Sequence, residues 1–251
     1  MARIAVSGCR TWRMSGSVAS IPAGRGVLTF AGSVPPQERS ARPAVARMPA
    51  HGIPTVKLII QVPCLNEEAT LPLVFERMPR HIPGVDSIEF LVIDDGSQDD
   101  TVEVARRLGV HHVVRHTRNM GLGQSFHDGV HKALELGADI VVNTDGDNQY
   151  PSERIPDLIK PILDGRADIV IADRQTDTIE HFSPLKKRLQ KVGSRVVSIA
   201  ADTDMPDAAS GFRAYSREAL IRLNTVTRFS YSMETIIQAG NKHLAIASIP
   251  V

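Results

Sequence analysis

The sequence predicts an α/β fold with a mostly parallel central sheet flanked by helices. Three observations predict it. Apolar, β-branched runs of strand length recur along the chain, amphipathic stretches of helical period separate them, and the turns after several runs carry acids, glycine and serine. Ligands of such sheets bind beyond the carboxyl ends of the strands, so those turns are the candidate functional positions.

Each element follows from local pattern. Val56–Val62 reads as a buried strand that ends at Pro63, which has no N–H to give a ladder. Glu67–Met78 reads as a helix with Leu71, Val74, Phe75 and Met78 on one stripe. Ser87–Ile93 is the next strand, and Asp99 or Asp100 suits the N-cap of a helix that runs to Leu108 and stops at Gly109. His112–Arg115 reads as a short strand and Ser125–Leu136 as a helix closed by Gly137. Then come a strand over Asp139–Thr144, a helix over Ser152–Leu163, a strand over Asp168–Ala172 and, later, a helix over Ser232–Ala239.

Residues 1–54 differ: arginines stand among Gly, Ser, Pro and Ala, Glu38 is the only acid, and neither structural period persists. A basic or transit-like tail would look so. The plainer expectation is a disordered or over-extended N-terminus with the true start near Met48, leaving residues 55–251 as one catalytic domain. The formal net charge of +1 gives no reason to expect a nucleic-acid partner. Cys9 and Cys64 lack metal-ligand spacing and fit a reducing, cytoplasmic setting. No apolar run reaches the roughly 18 residues of a membrane-spanning helix.

Three polar clusters sit at strand ends. Pro63-Cys64-Leu65-Asn66-Glu67-Glu68 follows the first strand and Asp94-Asp95-Gly96-Ser97 the second. Acids there can hold ribose hydroxyls or a base edge; taken alone, the first also fits a helix start and the second a common turn. The third, Asp145-Gly146-Asp147-Asn148-Gln149, puts two carboxylates and a carboxamide at alternate positions, which point the same way in an extended loop. Hard oxygen ligands suit Mg²⁺ or Mn²⁺, and such an ion neutralises a departing nucleotide diphosphate. A solvated Asp-Gly turn is the plain alternative for this cluster by itself.

In this order, and at these strand ends, the clusters resemble those of the family 2 glycosyltransferases with the GT-A fold, in particular their dolichyl-phosphate mannose synthase-like branch. The resemblance covers roughly residues 57–251. It implies a nucleotide-diphospho-sugar donor contacted by Pro63, Leu65, Glu67, Asp95, Gly121 and Asp145, with Asp145, Asp147 and Gln149 holding the ion. It further implies catalytic roles for Asp147, Arg174 and Glu234, transfer with inversion, and a polyprenyl phosphate acceptor. Asn119-Met120-Gly121-Leu122-Gly123 resembles the family's glycine-rich element, and Ser210-Gly211-Phe212-Arg213 the loop that shapes the acceptor side, where Arg213 would bind acceptor. Leu122 stands where a basic residue is often found, which leaves a GDP- or UDP-sugar open.

The stretch from Leu185 to Ile199 has an apolar face and Lys186, Lys187, Arg188, Lys191 and Arg195 on the others. A solvated surface helix or one lying on an anionic membrane would both show this pattern. By the resemblance, Lys187 and Arg188 fall where acceptor phosphate is bound, which implies peripheral attachment at the cytoplasmic face of a membrane or to a membrane-anchored partner. Phe229-Ser230-Tyr231-Ser232 lacks the lysine that many polyprenyl-phosphate enzymes carry there, so a glycan or other hydroxyl acceptor stays open, with Glu234 as its base. His127 and His131, at i and i+4, have no acid or third ligand to complete a metal site and are expected to serve the helix surface or core. Nucleotidyltransfer would call for a glycine-rich basic loop after the first strand, and Pro63–Glu68 has no glycine. Relatives continue past Ala245–Val251 into a basic acceptor segment, so a donor-binding domain truncated at its C-terminus, with slow or no turnover, is also expected.

Overall fold

The computed structural model describes residues 55–174, 207–224 and 231–251. The expectations for residues 1–54, for the basic stretch from Leu185 to Ile199 and for Lys187 and Arg188 lie outside the described residues.

Seven strands of the described residues form one sheet: β1 Lys57–Cys64, β2 Ser87–Asp94, β3 His112–Arg115, β4 Ile140–Asn143, β5 Ile169–Asp173, β6 Arg213–Ser216 and β7 Ile246–Pro250. Their order is β3-β2-β1-β4-β6-β5-β7. β1 pairs parallel with β2 and β4, β2 with β3, and β5 with β7, whereas β6 runs antiparallel between β4 and β5. The carboxyl ends of β1, β2, β4 and β5 therefore share one edge with the beginning of β6.

Six helices of the described residues cover the sheet: α1 Leu71–Arg77, α2 Thr101–Arg107, α3 Leu122–Glu135, α4 Ile155–Leu163 after a 3₁₀ turn at Ser152–Arg154, α5 Arg217–Arg222 and α6 Tyr231–Asn241. Alternation along the strands divides the core in two. Leu58, Ile60, Val62, Phe90, Val92 and Val170 pack with Phe75, Ala105, Leu158 and Ile159 of α1, α2 and α4. Ile59, Leu91, Ile93, Val141 and Ile171 pack on the opposite face with Phe126, Val130, Leu220 and Ile236 of α3, α5 and α6. The result is a helix–sheet–helix sandwich, as the alternating pattern predicts.

Where bounds differ, the cause is visible. α1 begins at Leu71 rather than Glu67; the turn before it gives the N–H groups of Glu67 and Glu68 to Thr101 Oγ1 and Asp99 Oδ2 of the neighbouring loop. β1 runs through Pro63 to Cys64: Gln61 is the last residue of β1 paired with β4, so the missing N–H of Pro63 faces no partner on that side. Asp100 occupies the N-cap position of α2 without a side-chain bond, while Asp99 Oδ1 accepts from Thr101 N at 3.1 Å. α3 starts at Leu122, three residues ahead of Ser125, so the glycine-rich element runs directly into the helix.

Candidate active site

The first two clusters are sewn together. Asn66, in the left-handed region at φ 57°, donates its N–H to Ser97 Oγ at 2.9 Å, and its side-chain oxygen accepts from Gln98 N at 2.9 Å. Thr101 Oγ1 receives Glu67 N at 2.8 Å, and the Glu67 carboxylate receives the Thr70 hydroxyl. The parallel pairing of β1 with β2 sets these loops side by side, and their polar groups satisfy one another.

Asp95, 5% exposed, is fully engaged. Its Oδ1 accepts Met120 N at 2.7 Å and its Oδ2 accepts Gly121 N at 2.9 Å, while His116 Nδ1 lies 2.7 Å from Oδ1. The carboxylate thus braces the glycine-rich element at the start of α3. Gly96, at φ 82°, lets that element close in: a Cβ there would lie 2.5 Å from the Arg118 carbonyl carbon.

The third cluster leaves β4 beside the loop that enters β6. Asp145 Oδ1 is shut off from solvent and has no hydrogen-bond partner among the described residues. Burial, then the charge of Asp147, push the Asp145 carboxyl up to about 6, Arg174 opposing and Glu67 adding. Asp147 Oδ1 accepts Gln149 N at 3.0 Å, and Asn148 makes the turn at φ 58°. Gln149 itself is exposed. Gly211 passes so near that a Cβ on it would sit 3.2 Å from Asp145 Oδ2. Tyr150, stacked on Phe212, fixes that passage by accepting Gly211 N at 2.9 Å. Beneath lies a buried polar chain in which Gln61 Nε2 donates to Asn143 Oδ1 at 2.9 Å and Asn143 Nδ2 to Gly211 O at 2.9 Å.

A buried, unpartnered carboxylate oxygen beside a second carboxylate is an unfavourable arrangement that a divalent cation would relieve, and the donor set fits Mg²⁺ or Mn²⁺. Among the described residues no group of three His, Cys, Asp or Glu side chains is placed to hold a metal.

Arg174 follows β5. Its Nε and Nη2 donate to Asp207 Oδ2 and Oδ1 at 2.7 and 3.1 Å, and these bonds hold the guanidinium above its ordinary pKa. Arg213 corrects an expectation. It is fully buried, and its guanidinium donates to the carbonyls of Ser210, Ser232 and Ala208 and to Thr235 Oγ1. Nη1 ties β6 to α6 through Ser232 and Thr235, while Nε and Nη2 brace the loop before β6, so with every nitrogen engaged in the interior Arg213 is a structural pin and not an acceptor ligand. Glu234, half-buried on α6, accepts from Gln238 Nε2 at 3.1 Å. The rings of His127 and His131 lie 4.4 Å apart on α3, tilted by 50° to each other.

Pro63, Leu65, Glu67, Asp95, Gly121, Asp145 and Asp147 all line one cavity of about 420 Å³ at the carboxyl edge of the sheet. A second, of about 710 Å³, adjoins it through Leu65 and Asn119 and is lined by Gly96, Arg115, His116 and Arg118. The sequence pointed to the first group and missed Asp207, His116, Asn143 and Tyr150. Only Asn143 and Tyr150 carried a local signal, as the residues flanking the acidic loop.

Residues 59–223 match the protein family described as Glycosyl transferase family 2. Among curated relatives, the UDP-N-acetylglucosamine–dolichyl-phosphate N-acetylglucosaminyltransferase of Methanococcus voltae is 28% identical over 211 residues, covering 76% of this chain and 82% of that protein. The polyprenol monophosphomannose synthase of Mycolicibacterium smegmatis is 28% identical over 214 residues, covering 81% and 79%. Among solved structures, glucosyl-3-phosphoglycerate synthase from Mycobacterium tuberculosis, in complex with Mn²⁺, uridine diphosphate and phosphoglyceric acid, superposes with a TM-score of 0.60 at 25% identity. That superposition covers 78% of this chain and 68% of the other.

Proposed function

The chain belongs to glycosyl transferase family 2 and has the GT-A fold, and from that premise we propose that it transfers a sugar, with inversion, from a nucleotide-diphospho-sugar to a polyprenyl phosphate. The observation that carries the donor half is the single cavity where Pro63, Leu65, Glu67, Asp95 and Gly121 meet the paired carboxylates Asp145 and Asp147. The acceptor half rests on relatives whose names specify dolichyl phosphate or polyprenol.

The chemistry follows from charge. In an inverting transfer the acceptor oxygen bonds to the anomeric carbon from the face opposite the nucleotide, and the bond to the diphosphate breaks, leaving negative charge on the departing oxygen. Asp145, Asp147 and the Gln149 carboxamide would hold Mg²⁺ or Mn²⁺, which supplies Lewis-acid neutralisation of that charge. Arg174, held by Asp207 through Nε and Nη2, would offer its remaining guanidinium donors and its charge to a phosphate oxygen. A polyprenyl phosphate arrives already ionised, so its attack requires no base. Glu234 would serve as general base only for a hydroxyl acceptor.

No helix among the described residues is long and apolar enough to cross a membrane. The basic stretch Lys186–Arg195 is the candidate for attachment to a lipid surface.

The test is a screen of UDP- and GDP-sugars with Mn²⁺, with and without polyprenyl phosphate and with a soluble glycan in a parallel series. Sugar transferred to the lipid phosphate alone supports the proposal. Transfer to the glycan alone assigns a hydroxyl acceptor, and donor binding without transfer to either marks a donor-binding domain.

A further inference from the structure

Beside the donor cavity the structure carries an arrangement that the reaction chemistry does not use. His116 follows β3, and its ring, with the side chain 9% exposed, lies between two carboxylates of different elements. Nδ1 stands 2.7 Å from Asp95 Oδ1, at the end of β2, and Nε2 stands 3.1 Å from Asp128 Oδ2, on α3. An ionised carboxylate only accepts hydrogen bonds, so both contacts are satisfied together only by a ring bearing a proton on each nitrogen. Partial burial pushes the Asp128 carboxyl upward, but hydrogen bonds from Gln124, His127 and His116 outweigh it and keep Asp128 below the usual carboxylate range. The same Asp95 carboxylate accepts Met120 N and Gly121 N, and Gly121 lines the cavity. His116 also donates its own N–H to Asp94 O at 2.8 Å, which fixes its backbone to the end of β2.

Resting on the donor reading above, we infer that His116 is a positioning residue for donor binding: a cationic ring that bridges Asp95 and Asp128 and so sets the glycine-rich backbone against the donor. It touches neither the reacting atoms nor the ion. Its contribution falls on the affinity for the nucleotide and not on the transfer step. Without the ring, Asp95 keeps its two backbone N–H bonds but loses its cationic partner and its tie to α3. The carboxylate that anchors Met120–Gly121 is then no longer tied to α3. The loss should appear as donor affinity, because a wall that is displaced equally in ground and transition states changes KM more than kcat.

Two measurements on the full chain test this. In ring-nitrogen NMR spectra at neutral pH, with the signal assigned by its loss in His116→Gln, both nitrogens of His116 should carry the signature of bonded protons. A signature of one bare nitrogen would overturn the inference. In calorimetric titrations with UDP and with GDP, each with Mn²⁺, His116→Gln should weaken the nucleotide that wild type binds by about tenfold, the loss of one charge-assisted hydrogen bond. Donor KM should rise similarly while kcat stays within about threefold. Unchanged nucleotide affinity in a folded His116→Gln, or a fall confined to kcat, would refute the role. Asp128→Asn serves as the second variant in case His116→Gln fails to fold: it should leave Asp95 in place and strip the bonded-proton signature from Nε2. Retention of both protons and of full affinity in Asp128→Asn would count against the bridge. If wild type binds neither UDP nor GDP the donor reading itself fails, whereas the nitrogen spectrum still decides the state of the ring.

Discussion

Asp207 grips Arg174 with both carboxylate oxygens, Nε to Oδ2 at 2.7 Å and Nη2 to Oδ1 at 3.1 Å. Asp207 is 4% exposed, so the guanidinium is held on a buried support with its remaining donors directed elsewhere. Replacing one oxygen with an amide breaks the fork. Asp207→Asn is expected to cut the transfer rate by about 10- to 100-fold and to destabilise the fold by about 1–3 kcal/mol, read by turnover and thermal melting. Wild-type turnover in that variant would remove Arg174 orientation from the mechanism.

Asp145 gives a pH prediction whose sign is opposite to that of an ordinary salt-bridged carboxylate. Its folded pKa is raised to about 6, above its ordinary value of 3.8. Between those values the folded state binds the extra proton, so metal-free stability falls as pH rises through that window. The fall should be on the order of 2–3 kcal/mol at most. Above about 6 the ionised carboxylate is available to a cation, so stabilisation by Mn²⁺ should grow as pH rises through that value and vanish well below it. Asp145→Asn should flatten the metal-free profile and abolish the Mn²⁺ effect in the same melting series. A Mn²⁺ shift that persists in Asp145→Asn would place the ion elsewhere.

Two glycines separate strain from contact. Gly96 and Gly109 both have left-handed φ, at 82° and 76°, but a Cβ on Gly96 meets Arg118 backbone at 2.5 Å and one on Gly109 meets nothing within 4 Å. Gly109→Ala should therefore cost only about 1 kcal/mol of backbone strain. Gly96→Ala should cost about 2–4 kcal/mol and also weaken nucleotide binding, since the displaced loop lines the donor side. Equal melting temperatures for the two variants would show that the loop over Gly96 yields freely.

The basic stretch gives a prediction from sequence alone. Each lysine or arginine near an anionic surface contributes about 1 kcal/mol. Reversing the charges of Lys186, Lys187, Arg188 and Lys191 should release the chain from vesicles containing anionic lipid, and so should high salt. Sedimentation with such vesicles that ignores both changes would leave the membrane attachment without support.

The sequence by itself determined the sandwich and the place of the three polar clusters at one edge of the sheet. Strand–helix alternation is written in the local period of apolar residues, and each acidic cluster lies directly after its strand, so chain connectivity alone carries it to the carboxyl edge. Parallel pairing then brings the ends of β1, β2 and β4 together without further information. The tertiary structure decided what depends on distant pairing. Asp207 meets Arg174 across 33 residues, and Asn143 reaches Tyr231 across 88, because β6 enters antiparallel beside β4 and β5. Arg213 looked like an acceptor ligand in a polar motif, yet the same antiparallel strand turns it inward, where carbonyls of α6 and of the loop before β6 take its protons. His116 had no motif at all. Its place between Asp95 and Asp128 exists only once β2, β3 and α3 are packed, since a hydrogen bond between elements is specified by the geometry of both and by the local sequence of neither.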